Sequence, residues 1–273
     1  MKLIIENGGS KLDWIVAGEN KINTSKGINI FDSKDSIEKS IKDNFSFFQT
    51  NNNPIGIEFY TAGITELTQE KMLNIFTKVF PNSSVNIYSD MLAASRALFN
   101  DRNGIACILG TGSNCAYFNG NENQPISYSL GYLLGDEGSG YDLGRQFLIH
   151  YFQKNLSYNT VKDFESQIKM NANELLTSIY NSKNPKYYIA SFAKYLKHYE
   201  NDTKVYEMIY YSLLSFLENH PFKYPGFQSK KIGFVGSVAF NFRNYIDVIM
   251  KDKNLEYLVL QKPIIKLMDY YSS

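Results

Sequence analysis

Carboxylates stand at four positions where a predicted strand ends or a glycine turn begins. They are Glu6, Asp90, Asp136 and Glu137. A carboxylate can accept the proton of an acceptor hydroxyl and can bind Mg²⁺, so such a set would suit phosphoryl transfer. Simpler roles are open as well, because an aspartate between a strand and a helix commonly caps the helix. The adjacent acidic pair, flanked by glycines, would equally suit a solvated turn.

Three glycine turns follow predicted strands and could hold an anionic ligand. They consist of Gly8, Gly9, Ser10 and Lys11, of Gly110, Thr111, Gly112 and Ser113, and of Gly236 and Ser237. Glycine allows positive φ and a close approach of the backbone, so that N–H groups can point at phosphate oxygens. Each turn alone is as typical of an ordinary hairpin. Together they favour a nucleotide bound between two domains, although neither the P-loop nor the Rossmann spacing occurs.

The first two turns lie in the same pattern of strand, glycine turn and strand, at residues 2–17 and 105–118. This recurrence indicates two halves built alike. The first half continues as β-β-β-α-β-α-β-α, with its third strand near 21–24. Asp35 and Glu38 have the spacing of a capping box and predict the start of its first helix there.

A polar turn at residues 101–104 predicts a boundary between two domains, 1–103 and 104–273. Beyond Gly144 the second domain becomes a series of helices dense in Tyr, Phe and Leu, which we interpret as a helical insertion whose aromatic side chains pack together. The terminal helix, at about 263–273, could pack back on the first domain.

Composition limits the classes of function. The 273 residues are 44% hydrophobic and 20% charged, with a net charge of +1, so no basic field would attract nucleic acid or an anionic membrane. Cys107 and Cys115 lie in apolar strand-like runs and are expected to be core thiols in a reducing compartment. No apolar run is long enough for a membrane span, and the N-terminus lacks a signal peptide's apolar region. These features predict a cytoplasmic protein.

Six motifs in order along the chain resemble those of the BadF/BadG/BcrA/BcrD ATPase family, especially its N-acetylglucosamine kinase branch. They lie at Asn7–Trp14, Gly27–Asn29, Asp90–Ala94, Gly110–Asn114, Gly135–Ser139 and Gly233–Ala239. The match spans nearly the whole chain, and GTGSN followed by GDEGS is its most specific part. That family has the actin, hexokinase and Hsp70 type of fold. The resemblance therefore implies an α/β protein with two actin-like, ribonuclease H-like ATPase domains and a cleft between them.

The resemblance also implies roles for individual residues. The first turn and Gly110–Ser113 would hold the phosphates of ATP, Gly236 and Ser237 would lie by the adenosine, and Asp90 would be the base acting on a sugar hydroxyl. Contacts to the sugar are implied for Asn29, Asn114, Asp136 and Glu137. Glu6 stands where many members have an aspartate beside Mg²⁺, which we interpret as an altered reach to the metal rather than lost activity.

The leading hypothesis is thus an ATP-dependent kinase that makes the 6-phosphate of an amino sugar. One alternative is the ATPase activator of a 2-hydroxyacyl-CoA dehydratase, which would need cysteines at a dimer interface for an iron–sulfur cluster. Others are a sugar-binding regulator and a degenerate, non-catalytic member. The motifs leave N-acetylglucosamine, glucosamine, N-acetylmannosamine and N-acetylmuramic acid open as substrates. The aromatic-rich helical surface could support a homodimer.

Overall fold

The computed structural model describes residues 1–8, 11–19, 21–50 and 54–272. The strands are β1 (Lys2–Asn7), β2 (Lys11–Val16), β3 (Asn23–Lys26), β4 (Gly56–Thr61), β5 (Ser84–Ser89), β6 (Gly104–Leu109), β7 (Ser113–Phe118), β8 (Asn123–Pro125), β9 (Ile232–Val235) and β10 (Tyr257–Leu260). The helices are α1 (Lys34–Asn44), α2 (Ser46–Thr50), α3 (Glu66–Val79), α4 (Asp90–Phe99), α5 (Gly131–Leu134), α6 (Gly140–Phe152), α7 (Tyr158–Ile168), α8 (Ala172–Tyr180), α9 (Pro185–Ala190), α10 (Ala193–Leu196), α11 (Thr203–Asn219), α12 (Ser237–Asn241), α13 (Arg243–Asp252) and α14 (Pro263–Ser272).

Backbone contacts divide the chain into two compact units. The first comprises residues 1–102, 119–123 and 262–273, and the second comprises 103–118 and 124–261. Each unit contains a five-stranded sheet, in the order β3-β2-β1-β4-β5 in the first and β8-β7-β6-β9-β10 in the second. In both sheets an antiparallel hairpin is extended by two parallel strands. The prediction of an α/β protein with two halves built alike is therefore confirmed.

The sheet of the first unit has helices packed against it, which explains why its central strands are apolar. All six residues of β4 are buried, and so are four of the six residues of β1. A parallel strand covered on both faces has no polar side, and it reads as a continuous apolar run rather than as an alternation. Helices α4 and α14 pack together, and both contact β1.

The C-terminal helix is tied to the first unit by a buried polar network. The guanidinium of Arg96, on α4, donates hydrogen bonds to the hydroxyls of Tyr60 and Tyr271 at 2.7 and 3.1 Å. Tyr271, on α14, in turn donates to the buried carboxylate of Glu58 at 3.2 Å. Because an unpaired buried charge is costly, this network favours one position for the last helix.

Two local predictions for the first unit are wrong. The third strand is β3, two residues later than expected, where it pairs with β2. The capping box at Asp35 and Glu38 does not form, because Ser33 is the N-cap of α1 and its hydroxyl accepts the N–H of Ser36 at 3.3 Å. An acceptor two residues upstream starts the helix earlier, and Glu38 then pairs with lysines instead.

Many aromatic side chains of the second unit are buried and pack together among helices, as the sequence indicates. Phe147 of α6 contacts Phe164 of α7 edge-to-face, with 4.9 Å between ring centroids. The strand β9 is followed by two helices, α12 and α13, which meet at Phe242. Within the described residues, no helix has both the length and the apolar character needed to cross a bilayer.

Candidate functional site

Two carboxylates face each other across the first hairpin. Glu6 near the end of β1 is directly opposite Asp13 of β2 in the antiparallel register. Asp13 is buried and accepts a hydrogen bond from the hydroxyl of Thr24. Its Oδ2 lies 3.0 Å from the ammonium of Lys262 and 3.9 Å from that of Lys11. Like charges directly opposite each other are unfavourable, so these two lysines offset a repulsion that the strand register creates.

The surroundings of Glu6 weaken it as an acid. Burial raises the pKa of its carboxyl from the ordinary 4.5 to about 7, with further upward contributions from the carboxylates of Asp13 and Asp90. Lys11 and Lys262 act in the opposite direction and offset part of the rise. Near neutral pH both the protonated and the ionised form of this carboxyl are therefore populated, and a cation placed beside it would favour the ionised form.

The donors around Glu6 fit the magnesium ion that the resemblance implies. Carboxylate oxygens are the ligands that Mg²⁺ prefers, and a divalent cation would relieve the repulsion with Asp13. Within the described residues, no three His, Cys, Asp or Glu side chains converge on one point suited to a metal. In phosphoryl transfer, Mg²⁺ is usually bound through one or two carboxylates and completed by water and phosphate oxygens.

Asp90 begins helix α4 but does not cap it. The N-cap is Ser89, whose hydroxyl accepts the N–H of Leu92 at 3.2 Å. Asp90 is the first helical residue, and its Oδ1 accepts the adjacent N–H of Met91 at 2.9 Å. Burial raises the pKa of its carboxyl above the ordinary range. The capping role considered for Asp90 therefore belongs to its neighbour.

The first glycine turn is closed by the N–H of Gly8, which donates to the carbonyl of Lys11 at 3.0 Å. Gly9 and Ser10 of the predicted phosphate turn lie outside the described residues. Asn7, which sequence analysis did not single out as a separate site residue, is buried and exchanges two hydrogen bonds with the backbone of Ile28, at 2.8 and 2.9 Å. This side chain fixes the loop that follows β3.

Asn29, a predicted sugar contact, lies in that loop and is exposed. Its amide donates to the carboxylate of Asp32 at 2.7 Å, and its Oδ1 accepts the N–H of Phe31 at 3.2 Å. Both bonds are local and belong to a turn. A ligand that contacts Asn29 would therefore have to replace or share these hydrogen bonds, because both ends of its side-chain amide already have partners.

The second glycine turn is held by the start of helix α6. The N–H groups of Gly140 and Tyr141 donate to the carbonyls of Gly110 and Thr111, at 2.7 and 3.1 Å. Inside the turn, the N–H of Gly110 donates to the carbonyl of Gly112 at 3.0 Å. The GTGSN turn and the start of α6, which directly follows GDEGS, thus form one backbone-bonded structure in the second unit.

Glycine is required at position 112 of this turn for a reason that the sequence did not reveal. Neither Gly110 nor Gly112 has a positive φ. A Cβ atom at Gly112 would instead lie 2.7 Å from Oδ2 of Asp136, whereas a Cβ at Gly110 would meet nothing within 4 Å. The expectation of positive φ is therefore wrong here. Gly112 leaves room for a carboxylate.

Asp136 is held firmly in that space. It is 7% exposed and adopts a left-handed backbone conformation, with φ of 61°. Its Oδ1 accepts the N–H of Ser113 at 3.3 Å. Its Oδ2 is 3.1 Å from the ammonium of Lys186, on α9, but accepts no aligned hydrogen bond among the described residues. The site thus contains a cation that sequence analysis missed.

The rest of the GDEGS loop is held by hydrogen bonds to the buried carboxylate of Asp142. Oδ2 of Asp142 accepts hydrogen bonds from the N–H of Gly138 at 3.2 Å and from the hydroxyl of Ser212 at 2.6 Å. Ser139 is the N-cap of α6 and accepts the N–H of Asp142. The spacing Ser-x-x-Asp at the start of a helix was a signal for this arrangement in the sequence.

Two other predicted sugar contacts have protein partners. The carboxylate of Glu137 lies 3.5 Å from Nε2 of His220, whose Nδ1 is 2.7 Å from the hydroxyl of Ser127. This pair joins positions far apart in the chain. The Oδ1 of Asn114 accepts the N–H of Cys115 at 2.8 Å.

The third glycine turn lies against the second. Gly236 has a φ of 113°, which other residues rarely adopt, and a Cβ there would lie 2.3 Å from the carbonyl oxygen of Leu109. The same Cβ would be 3.2 Å from the nitrogen of Gly110. The structure thus brings together two of the three predicted nucleotide turns within the second unit, and Ser237 begins helix α12 beside them.

The two cysteines form a cross-strand pair below the second turn. Cys107 and Cys115 are paired in register, both are buried, and their sulfur atoms are 3.6 Å apart. Burial raises the pKa of the Cys107 thiol well above its usual value. The prediction that both are core thiols is confirmed.

Comparison with solved structures shows the fold and the family. A protein of Porphyromonas gingivalis, described as a putative N-acetylglucosamine kinase, is 30% identical, with 99% of this chain and 98% of that chain covered and a TM-score of 0.93. A protein of Chromobacterium violaceum with the same description is 10% identical, with 98% of each chain covered and a TM-score of 0.75. MreB5 of Spiroplasma citri, bound to ADP, is 12% identical over 99% of this chain and 94% of that one, with a TM-score of 0.54.

The last two likenesses show the fold alone, and they confirm the predicted two-domain, actin-like ATPase architecture. No family model matches the chain, and no curated protein matches it. The BadF/BadG/BcrA/BcrD assignment therefore stays a prediction. An identity of 30% over nearly the full length of both chains is sufficient to place two proteins in one family. The chain belongs to the same family as the Porphyromonas gingivalis protein.

Proposed function

We propose that the protein is an ATP-dependent sugar kinase whose substrate is an amino sugar, N-acetylglucosamine before the others, phosphorylated at the 6-hydroxyl. One observation carries the proposal. The carboxylate of Asp136, implied as a sugar ligand, occupies the space that Gly112 leaves in the turn implied to bind phosphate. A side chain proposed to bind the sugar and a turn proposed to bind the phosphates of ATP are thus in direct contact within one unit. The 30% identical relative supports the same reaction class.

In the proposed reaction the sugar oxygen attacks the terminal phosphorus of ATP, and the bond from that phosphorus to its bridging oxygen breaks. Asp90 accepts the hydroxyl proton, and ADP leaves. The raised pKa of Asp90 favours this role, because a more basic carboxylate is a better acceptor at neutral pH. Glu6 would hold Mg²⁺ with phosphate and water oxygens, and the ion would neutralise charge on the phosphates.

The proposed nucleotide site extends from Gly110–Ser113 to the third turn. Gly236 and Ser237 would lie by the adenosine, because their backbone adjoins the phosphate turn within the second unit. Asn29, Asn114 and Glu137 remain proposed sugar contacts. The roles of Gly8–Lys11 toward phosphate are proposed on the resemblance.

The structure disfavours the dehydratase activator as an alternative. Its cluster would need cysteines that reach a subunit interface, whereas Cys107 and Cys115 are the only cysteines of the chain and are buried side by side in one hairpin. A near-neutral charge disfavours a DNA-binding regulator. We further propose a cytoplasmic protein with a small-molecule substrate, without a nucleic acid or membrane partner and with a homodimer as one possible assembly.

A coupled assay of ADP release tests the proposal. The panel consists of N-acetylglucosamine, glucosamine, N-acetylmannosamine, N-acetylmuramic acid and glucose. We expect sugar-dependent ADP release that is fastest with N-acetylglucosamine and a product that phosphorus NMR identifies as a 6-phosphate. If no sugar accelerates ADP release, the kinase proposal falls. An iron–sulfur absorption band after anaerobic purification would favour the activator instead.

A further inference from the structure

We infer that Lys186 binds the terminal phosphoryl group of ATP, an inference that rests on the kinase function proposed above. The lysine lies outside all six sequence motifs. Its ammonium is 3.1 Å from Oδ2 of Asp136 and would be 3.2 Å from a Cβ atom at Gly112. It therefore lies where the proposed phosphate turn and the proposed sugar carboxylate meet, all within the second unit.

The position of Lys186 is fixed by tight backbone packing. Helix α9 lies so close to α6 that a Cβ atom at Gly144 would be 2.1 Å from the carbonyl oxygen of Ile189. The first residues of α6 are themselves hydrogen-bonded to the carbonyls of the turn at Gly110 and Thr111. Helix and turn thus belong to one packed structure, which fixes the backbone of Lys186 relative to the turn before a ligand arrives.

The ion pair with Asp136 is poorly suited to a purely structural role. Oδ2 of this carboxylate is buried, yet it accepts no aligned hydrogen bond among the described residues. Buried ion pairs stabilise a fold only when hydrogen bonds complete them. A substrate hydroxyl that donates to Oδ2, together with a phosphate that accepts from Lys186, would complete both partners. The Asp136–Lys186 pair therefore has the incomplete hydrogen bonding that is expected of a binding site before its substrate arrives.

The ammonium also remains accessible to a ligand. The side chain of Lys186 is 30% exposed, and in the described residues its partners are the Asp136 carboxylate and the ring of Tyr132, 5.5 Å from the ring centroid. An ammonium has three N–H donors, so at least one is available to an anion. Because the lysine lies on the Asp136 side of the turn, the phosphate nearest the sugar would be its ligand. That phosphate is the terminal one.

The test compares binding of a non-hydrolysable ATP analogue with binding of ADP. Isothermal titration at constant Mg²⁺ measures both affinities for the wild type, Lys186→Met and Lys183→Met. The second variant is the matched control, because Lys183 is an exposed lysine just before the same helix. We expect Lys186→Met to weaken binding of the analogue about 10- to 100-fold, the range for a charged hydrogen bond, and to weaken ADP by less than about threefold. The control should change neither affinity.

A second comparison separates a phosphate contact from an effect through Asp136. If Lys186 contacts phosphate, Lys186→Met should still weaken the analogue about tenfold in an Asp136→Asn background. Equal losses for both nucleotides, or a loss that disappears in that background, would overturn the inference. Lys186→Gln replaces the methionine variant if thermal unfolding shows that the latter does not fold.

Failure of the inference and failure of the function give different results. Wild-type affinity for the analogue in a folded Lys186→Met protein overturns the inference and leaves the kinase proposal intact, provided the wild type binds ATP. If the wild type itself binds no ATP, the proposed function falls, and the inference falls with it.

Discussion

The two glycine hairpins occupy the same place in sheets of the same order, yet they are supported by different chemistry. In the first hairpin, charged side chains of the strands themselves face each other, as Glu6 and Asp13 do. In the second, the strands place Cys107 opposite Cys115, and both are apolar and buried. Charge reaches the second hairpin from elsewhere, through Asp136. Similar backbones thus carry electrostatic environments of different origin.

This difference predicts that the two hairpins respond to different changes. The first hairpin depends on a balance among like and unlike charges, so substitution of a charge or a change of pH should alter it. The second depends on backbone hydrogen bonds and on space, since a carboxylate occupies the place of a missing side chain at Gly112. It should respond to added volume rather than to pH. Variants in each unit can test whether the contrast holds.

The largest expected effect is that of Asp90→Asn, in the first unit. Removing the proposed base should reduce kcat by about 10²- to 10⁴-fold, because the sugar hydroxyl would lose its proton acceptor. Binding of ATP and sugar should remain, and steady-state kinetics with equilibrium titrations would check both. The melting temperature should stay near that of the wild type, because Asp90 is not the helix cap.

Ser89→Ala is the matched control. It removes the hydroxyl that caps α4 and should cost about 1 kcal/mol of the free energy of unfolding, while kcat changes little. Chemical denaturation and turnover assays would therefore separate the two neighbouring residues. Near-normal turnover in Asp90→Asn would leave the proposed reaction without its base.

Local patterns in the sequence were sufficient for most of the strands, for the two glycine hairpins and for the two similar halves, although not for the bounds of β3 or for β8. These features depend on residues close together in the chain, such as an apolar run that ends in glycines. The sequence could not reveal Lys186 or Lys262, because each meets its carboxylate only through tertiary packing. The N-cap of α4 was missed for another reason: Ser89 and Asp90 are both good capping residues, and only the backbone shows which one precedes the helix.

The next largest effect should come from Gly112→Val in the second unit. A side chain there would displace the carboxylate of Asp136, and with it the ammonium of Lys186. We expect ATP binding to weaken by about tenfold or more, a loss comparable to that of one charge-assisted hydrogen bond. Isothermal titration would measure it.

Gly110→Ala provides the contrast within the same turn. Its Cβ would meet nothing within 4 Å and its φ is not positive, so the melting temperature should not fall. Such a substitution can even stabilise a protein slightly by restricting the unfolded chain. If both variants lost stability equally, the space filled by Asp136 would not be the reason for glycine at position 112.

A third prediction concerns pH and the first hairpin. The pKa of Glu6 is raised from 4.5 to about 7 in the folded protein, so folding favours its protonated form. That contribution to stability is complete below pH 4.5 and is lost as the pH rises through 7. For metal-free protein, the free energy of unfolding of the wild type relative to Glu6→Gln should fall by on the order of 2–3 kcal/mol across this window.

Urea denaturation in EDTA between pH 4.5 and 8 would measure the difference. Added Mg²⁺ should oppose the loss above pH 7, because a bound cation stabilises the ionised carboxylate. A parallel pH profile for Glu6→Gln and the wild type would contradict the raised pKa and would remove the electrostatic contrast between the two hairpins.

The smallest effect should come from Lys262→Met, which tests whether the C-terminal segment helps set the charge balance of the first hairpin. The ammonium of Lys262 lies 3.0 Å from Asp13 and lowers the pKa of Glu6, so its removal should move that pKa upward. The cost in stability should be about 0.5–1 kcal/mol, since the lysine is partly exposed and solvent screens the pair.

Carbon-13 NMR of labelled glutamate carboxyls, assigned with Glu6→Gln, would follow the titration directly. Lys266→Met is the control, because that lysine lies on α14, which begins directly after Lys262, and pairs with Asp269 instead. An unchanged titration of Glu6 in Lys262→Met would mean that the first hairpin balances its charges without the C-terminal segment.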